Sequence, residues 1–169
     1  MYDQILYPTD GSTGSETAAA HVIELASAFD ATVHVLHVID IRGGGLGLSG
    51  AFLDEDSQAM SGRSPDEGYI GKEHDADMDE IEDELTAQAE ELVETSAGSL
   101  EGIDLTTAVE MGTPHTEILR YADENDIDLV VMGTHGRTGV ERYLLGSVTE
   151  KVVRLADPPV VTVRADEAE

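Results

Sequence analysis

The sequence contains no cysteine and no tryptophan, only two phenylalanines, and only nine lysine and arginine residues among 169. Without cysteine the chain can have no disulfide, no thiolate zinc site and no thiol nucleophile, a usage that fits a reducing interior. No segment approaches the ~18 consecutive apolar residues that span a bilayer. The first residues also lack the basic and apolar regions of a signal peptide. Together these absences predict a cytoplasmic protein.

Acidic residues dominate the charge, with 36 aspartates and glutamates and a formal net charge of −27, although 40% of the residues are hydrophobic. That apolar share is too high for a disordered acidic chain, so we expect one folded domain, 1–169. A polyanion of this strength is repelled by phosphate backbones and anionic lipids, which argues against nucleic-acid and membrane partners. Hydrated carboxylates also keep proteins dispersed in a high-salt cytoplasm. We therefore favour a halophilic origin over an ordinary acidic protein.

Five short apolar segments alternate with longer segments of helical periodicity. The apolar segments are 4–7, 32–38, 105–109, 127–132 and 160–163. Several are apolar at successive rather than alternate positions, which is typical of parallel strands covered on both faces. The order β-α-β-α-β-α-β-α-β predicts a single doubly wound α/β domain, with a five-stranded parallel sheet and helices on both faces.

Local signals mark where the helices begin. In 13–16 and 147–150 a threonine or serine is followed three residues later by glutamate, which predicts a capping box at each start. Thr113 precedes Pro114, as an N-cap before proline at the first helical position. A narrow apolar stripe on a very acidic segment predicts another helix over 75–96.

The segment 41–71 fits neither the helical nor the strand period. It is glycine-rich at its start and polar and acidic further on. A structureless loop of this length inside a compact domain is uncommon and is usually a functional lid or disordered. We expect a mobile insertion, with an ordered lid as the alternative.

Two loops are candidates for ligand binding, because doubly wound sheets bind ligands beyond the carboxyl ends of their strands, where the strand order reverses. Segment 8–12 follows the first strand, and 133–137 follows the fourth and leads to Gly146 and Ser147. Glycines allow a ligand to approach the backbone closely, and the N–H groups at a helix start bind anions. Residues 133–154 include four basic and two acidic residues. The sequence therefore predicts an anion site in an otherwise acidic protein.

Each of these features also has a plainer explanation. The glycines can serve only as tight turns, and Arg154 can simply complement the dipole of its helix. Asp10 is also explained as a turn or capping residue, and His135 as a solvated loop residue. His34 and His37 are best interpreted as hydrogen-bonded strand residues. No spacing of ligands indicates a structural metal site.

The joint pattern resembles the universal stress protein family, in its nucleotide-binding branch. The resemblance extends over almost the whole chain outside 41–71. It rests on ILYPTDGS at 5–12, LHVID at 36–40, MGTPHTEIL at 111–119, and above all Gly133-x2-Gly136-x9-Gly146-Ser147. It implies a sheet of order 3-2-1-4-5, a homodimer, and ATP or a related AMP or ADP at the point of order reversal. Mg²⁺ could accompany the phosphates.

The resemblance also implies roles for individual residues. Carried onto matching positions, it implies adenine contacts from Val38 and Met132, ribose contacts from Asp10 and Gly133 beside Pro8 and Thr9, and phosphate contacts from Gly136, Gly146, Ser147 and Val148. Arg137 and His135 are added as phosphate neighbours from their charge and position alone.

The last strand carries a separate argument for the dimer. If it lies at the sheet edge, 159–164 is an almost uncharged edge that would aggregate unless paired, and a second copy is the simplest partner. The alternative is that the charged tail 165–169 blocks pairing.

The resemblance implies a regulatory, stress-response nucleotide binder rather than an enzyme. No residues are evidently positioned as a base or clamp on a γ-phosphate, so ATP turnover is expected to be slow or absent. Adenylating enzymes of related fold usually have a Ser-Gly-Gly loop or a His-x-Gly-His motif near the first strand, where this chain has Pro8-Thr9-Asp10. The alternatives are a nucleotide-free homodimeric interaction module and a slow ATPase.

Overall fold

A computed structural model of the protein describes residues 1–41, 74–134 and 145–165, with side chains from residue 79 onward in the second range. Strands and helices alternate along them. The strands are β1 (Gln4–Pro8), β2 (Thr32–Asp40), β3 (Leu105–Gly112), β4 (Leu129–Gly133) and β5 (Val160–Val163). The helices are α1 (Thr13–Phe29), α2 (His74–Gly98), α3 (Pro114–Glu124) and α4 (Ser147–Leu155). Apart from its first residue, the expected insertion 41–71 lies outside the described residues.

The strands form one parallel sheet in the order β3-β2-β1-β4-β5. This confirms the predicted doubly wound α/β fold and the strand order implied by the family resemblance. In β1, Ile5 lies opposite Val33 of β2 on one side and Leu129 of β4 on the other. The chain moves from β1 outward to β3 and then returns to β4, so the strand order reverses between β1 and β4.

Each face of the sheet buries its own apolar core. Ile5 and Val33 belong to the core beneath α1 and α2, whereas Leu6 and Leu36 belong to the core beneath α3 and α4. Successive residues of β1 therefore point into different cores, and neither Ile5 nor Leu6 has any exposed surface. Burial on both faces explains why these strands are apolar at successive positions.

The predicted fourth strand, 127–132, begins two residues too early. The N–H of Ile127 donates to the carbonyl oxygen of Ala122 at 3.0 Å, so this residue completes the end of α3. The carboxylate of Asp128 accepts from the N–H of Gln4 at 3.0 Å and fixes the start of β1. Ile127 and Asp128 therefore bond to α3 and to the start of β1, and the β4 ladder begins after them.

The start of α1 differs from the prediction by one residue. Its N-cap is Ser12, whose hydroxyl accepts from the N–H of Ser15 at 3.3 Å. Thr13 already lies inside the helix, so the predicted capping box at 13–16 is wrong. Serine and threonine cap helices comparably well, and adjacent candidates cannot be separated by pattern. The helix predicted over 75–96 is confirmed as α2.

The predicted capping box at 147–150 is also wrong. The N-cap of α4 is Gly146, which has no side chain to cap the helix, and Glu150 instead pairs with Arg154 one turn further on. The N-cap Thr113, followed by a proline, is confirmed for α3, although the threonine hydroxyl makes no capping bond. Both helix starts thus leave their first N–H groups without a side-chain cap.

The two strand histidines are hydrogen-bonded residues, as predicted. His34 Nδ1 lies 3.0 Å from the hydroxyl of Tyr121, and His34 Nε2 lies 2.7 Å from Gln4 Oε1. Burial lowers the pKa of His34, which favours the neutral imidazole. His37 Nδ1 donates to the carbonyl oxygen of Thr9 at 2.7 Å. These bonds tie β2 to β1 and to α3.

Candidate functional site

The candidate site is the crevice at the carboxyl ends of β1 and β4. After β1 the chain enters α1, which packs against one core, and after β4 it leads to α4, which packs against the other. The two outgoing loops therefore separate to opposite faces of the sheet. This divergence opens a crevice in doubly wound folds.

The loop after β1 is held by short-range hydrogen bonds. The Oδ1 atom of Asp10 accepts from the N–H of Ser12 at 3.0 Å, which forms an Asx turn leading into α1. Gly11 has a φ of 70°, a left-handed conformation that glycine adopts without strain. The predicted plain role of Asp10 in a turn is thus confirmed. The same turn holds its half-buried carboxylate near the end of β1.

Every polar group of Thr9 has a hydrogen-bond partner. Its N–H donates to the carbonyl oxygen of Leu36 at 2.8 Å, and its carbonyl accepts from His37. Its hydroxyl lies 3.2 Å from Ser15 Oγ and 3.4 Å from Ser96 Oγ, beneath α1 and α2. Thr9 can therefore shape the wall of the crevice, and its hydroxyl is directed to the helices.

Strand β2 continues beyond the end of β1. The β1–β2 register ends where Pro8 lies opposite Leu36, while β2 runs on to Asp40 beside β3. Val38 is therefore two residues beyond the last β1 pair, half-buried and packed against the core beneath α3 and α4. Its main chain therefore lies at the carboxyl end of the sheet, beyond the last residue that pairs with β1.

The end of β4 lies directly against the first turn of α1. A Cβ atom on Gly133 would be 2.6 Å from the carbonyl carbon of Gly14 and 2.7 Å from its oxygen, far inside van der Waals contact. The hydroxyl of Thr149 donates to the carbonyl oxygen of Gly133 at 2.9 Å, which ties α4 to the same point. Met132, the residue before, is buried in the α3/α4 core. Gly133 is thus where the starts of α1 and α4 meet the sheet.

Two hydrogen bonds connect the start of α4 to the sheet. The N–H of Thr134 donates to the carbonyl oxygen of Val163 at 2.8 Å, and the N–H of Gly146 donates to the carbonyl oxygen of Thr134 at 2.8 Å. Ser147 is the exposed first residue of α4, and Val148 packs partly against the α3/α4 core. The first N–H groups of α4 therefore lie beside the end of β4, where helix starts favour anions.

The remaining predicted phosphate contacts, Gly136, Arg137 and His135, lie outside the described residues. The structure thus brings together Pro8, Thr9, Asp10, Val38, Met132, Gly133, Gly146, Ser147 and Val148 at one edge of the sheet.

Part of the positive charge predicted near this edge is neutralised. Arg154 forms an ion pair with Glu150. Lys151 is close enough to His115, at the start of α3, that its charge, after burial, lowers the pKa of that imidazole. The two arginines of 135–144 lie outside the described residues. Lys151, the start of α4, and Arg164 directly after β5 are electropositive features of the described part.

Two residues were missed by the sequence analysis. Gly14 accommodates the close approach of Gly133, and its only sequence signal is a glycine in the first turn of a helix. His115 lies near Lys151, and a histidine after the helix-starting proline carries no specific signal of this proximity. Both depend on contacts between segments that are far apart in sequence.

Within the part of the chain whose side chains are described, no three histidine, aspartate or glutamate side chains converge closely enough to hold a metal ion. Among the described residues, no helix combines the length and the apolar content of a membrane span.

The fold and this crevice define a doubly wound α/β protein with a candidate binding site at the reversal of its strand order. Residues 1–164 match the universal stress protein family, and the chain belongs to that family. Universal stress protein MJ0531 of Methanocaldococcus jannaschii is 33% identical over 171 residues, covering 100% of this chain and 86% of the relative. The solved structure of MJ0577, from the same organism, matches with a TM-score of 0.77 at 30% identity, covering 99% of both chains.

Two further solved structures share the fold at lower identity. A universal stress protein in complex with cAMP matches with a TM-score of 0.55 at 20% identity, covering 98% of each chain. One from Archaeoglobus fulgidus in complex with dAMP matches with a TM-score of 0.50 at 18% identity, covering 96% of this chain and 98% of the other. At these identities the similarity establishes the fold alone.

Proposed function

We propose that the crevice binds an adenine nucleotide, ATP or the related AMP or ADP, and that the bound nucleotide sets a regulatory state in a cytoplasmic stress response. The observation that carries this proposal is the position of the Asp10 carboxylate and the start of α4 at the two sides of one strand-order reversal. The complexes of two proteins of this fold with cAMP and dAMP support an adenine nucleotide as the ligand.

The proposed contacts follow the chemistry of each group. The Asp10 carboxylate lies in the turn after β1, and a carboxylate accepts hydrogen bonds from donors such as ribose hydroxyls. The N–H groups of Ser147 and Val148 precede the first hydrogen bond of α4, from Glu150 to Gly146, and can donate to phosphate oxygens. The further proposed phosphate contacts are Gly146, Gly136, Arg137 and His135. The proposed adenine contacts are Val38 and Met132. The proposed wall beside the ribose is formed by Pro8, Thr9 and Gly133.

Mg²⁺, if used, would be held by the phosphates, since the described side chains contain no metal cluster. We propose binding rather than rapid hydrolysis, with slow ATP turnover as the second candidate. Fast steady-state release of phosphate by the pure protein would argue for an enzyme.

The nucleotide proposal is tested first on the protein as purified. We expect adenine nucleotide in the supernatant after heat or acid denaturation, and ATP binding by calorimetry in concentrated KCl. Asp10→Asn retains an oxygen for the Ser12 N–H but loses the charge, so we expect affinity to fall about tenfold, or ~1.4 kcal/mol. Asp157→Asn, at an exposed position before β5, is the matched control and should bind normally.

Native protein that neither carries nor binds adenine nucleotide would contradict the proposal and favour the ligand-free interaction module. Equal affinities for the native protein, Asp10→Asn and Asp157→Asn would instead contradict the role of Asp10.

We further propose a homodimer that forms through β5, over 159–164. β5 is an edge strand, and the side chain of Thr162 is exposed on it. We expect a dimeric mass by light scattering in concentrated KCl. Thr162→Glu should give a monomer, because antiparallel pairing of two copies would bring like charges together. Thr106→Glu, at an exposed position on the other edge strand, is the control that should stay dimeric. A monomeric native protein would contradict the proposal.

A further inference from the structure

A second concave site lies on the opposite side of the sheet from α3 and α4. It is a cleft of about 590 Å³ between the start of α1 and one side of α2. This volume is within the range of small-molecule pockets, ~300–1,000 Å³. The cleft has a floor of Tyr7, Ala19 and Leu92 and a polar rim that includes Glu16, Glu91 and Thr95.

The cleft arises from the way the two helices sit on the sheet. α1 packs mainly on β4, β5 and β1, whereas α2 packs on β2 and β3. α2 directs Ala89 and Val93 into the core, and the neighbouring stripe with Glu91, Leu92 and Thr95 faces the gap instead. On the α1 side the gap is bordered by the small side chain of Ala19. The side chains of α1 and α2 therefore do not fill the space between the two helices, and this space is the cleft.

Among the described residues that line this cleft, the charged side chains are all acidic. The lining carries Glu16 on α1 and Glu91 on α2, on opposite walls. No lysine or arginine occurs anywhere in 2–41 or 73–119, the segments that contain both walls and the floor. The negative charge also reaches the floor, because Glu16 and Asp10 add to burial in raising the pKa of the Tyr7 phenol. This charge therefore favours a cationic ligand over an anionic one.

The combination of an apolar floor with carboxylates on two walls narrows the class of ligand. We propose that the α1/α2 cleft binds an aliphatic amine, whose ammonium group pairs with Glu16 or Glu91 while its carbon chain lies over Ala19 and Leu92. The hydroxyl of Thr95 at the rim can accept a further ammonium N–H. The cleft meets the loop of the proposed nucleotide crevice at Gly11, but Glu16, Glu91 and Thr95 are not among the proposed nucleotide contacts, so the two proposals can be tested separately.

The probe for this proposal is 1,4-diaminobutane, titrated into the full-length protein at the lowest KCl concentration at which it is folded. NMR shifts should concentrate at the cleft residues, and 1,4-butanediol, of the same length but uncharged, should cause none. In Glu16→Gln/Glu91→Gln we expect the diamine to bind about tenfold more weakly, because two exposed ion pairs contribute up to ~1 kcal/mol each. Melting curves establish that the variant is folded.

A matched variant separates specific binding from general attraction to a polyanion. Glu24→Gln/Glu90→Gln removes the same charge from the same two helices at exposed positions outside the cleft, and should bind normally. A second variant, Thr95→Trp, should block the cleft without changing its charge, whereas Ala87→Trp, also exposed on α2, should not. Equal weakening in both charge variants, shifts spread over the surface, or binding unaffected by Thr95→Trp would each overturn the proposal.

Discussion

Replacing Gly133 by alanine should lower the free energy of unfolding by about 1–3 kcal/mol, the usual cost of forcing extra atoms into a packed site. The added Cβ would lie 2.6 and 2.7 Å from the carbonyl carbon and oxygen of Gly14. These are backbone atoms at the first turn of α1, so no side-chain rotation can relieve the overlap. The helix itself has to move away from the end of β4.

The effect can be measured by urea or thermal unfolding at fixed KCl concentration. Gly98→Ala is the matched control, because a Cβ at Gly98 would meet no atom within 4 Å. That variant should be at least as stable as the native protein, since alanine restricts the unfolded chain. Equal unfolding free energies for the native protein and Gly133→Ala would mean that α1 does not rest against the strand end.

Removal of salt should unfold the protein. The part of α2 with described side chains exposes Asp79, Glu80, Glu82, Asp83, Glu84, Glu90, Glu91 and Glu94. No lysine or arginine occurs between 73 and 119 to offset them. At ~0.1 M salt, charges interact over ~10 Å, while at ~1 M the range falls to ~3 Å, so repulsion along this helix grows as salt is diluted.

We expect Tm to rise by ~10 °C or more between about 0.2 and 2 M KCl, an increase equivalent to a few kcal/mol for a chain of this size. Melting followed by circular dichroism across a KCl series provides the measurement. A variant with Glu80, Asp83, Glu90 and Glu94 changed to their amides should need less salt, and sucrose should not substitute for KCl in the native protein. A Tm insensitive to KCl would contradict both the repulsion and the halophilic interpretation.

The apolar periodicity predicted the order and number of the strands and helices. It could do so because the pattern of buried positions repeats along the whole length of each strand or helix. Helix starts were less predictable. Ser12 and Thr13 are adjacent and chemically similar, and only the fold decides that Ser12 accepts the N–H of Ser15. At α4 the capping pattern named Ser147, whereas the cap is Gly146, whose N–H is held by the carbonyl oxygen of Thr134. Bonds to distant segments outweighed the local signal.

The candidate site also has features that the sequence predicts and features that it does not. The loops with Asp10 and Gly133 were predictable, because the ends of parallel strands share one edge of the sheet. The inward direction of the Thr9 hydroxyl was not, since it depends on Ser96, 87 residues away. The contact between Gly133 and Gly14 was hidden for the same reason. Sequence identifies which loops meet, while the orientation of each side chain depends on helix packing.

The described part of the chain separates charge across the sheet, which gives that part an electric dipole moment. Among the described residues, every lysine and arginine belongs to α3, α4 or the end of β5, and α1 and α2 have none. At the lowest salt concentration at which the protein is folded, this field would favour the approach of an anion from the α4 side and of a cation from the α2 side. In concentrated salt the charges are screened beyond ~3 Å. The charge separation would then affect which ligands bind in contact with the protein, and no longer the direction from which they approach.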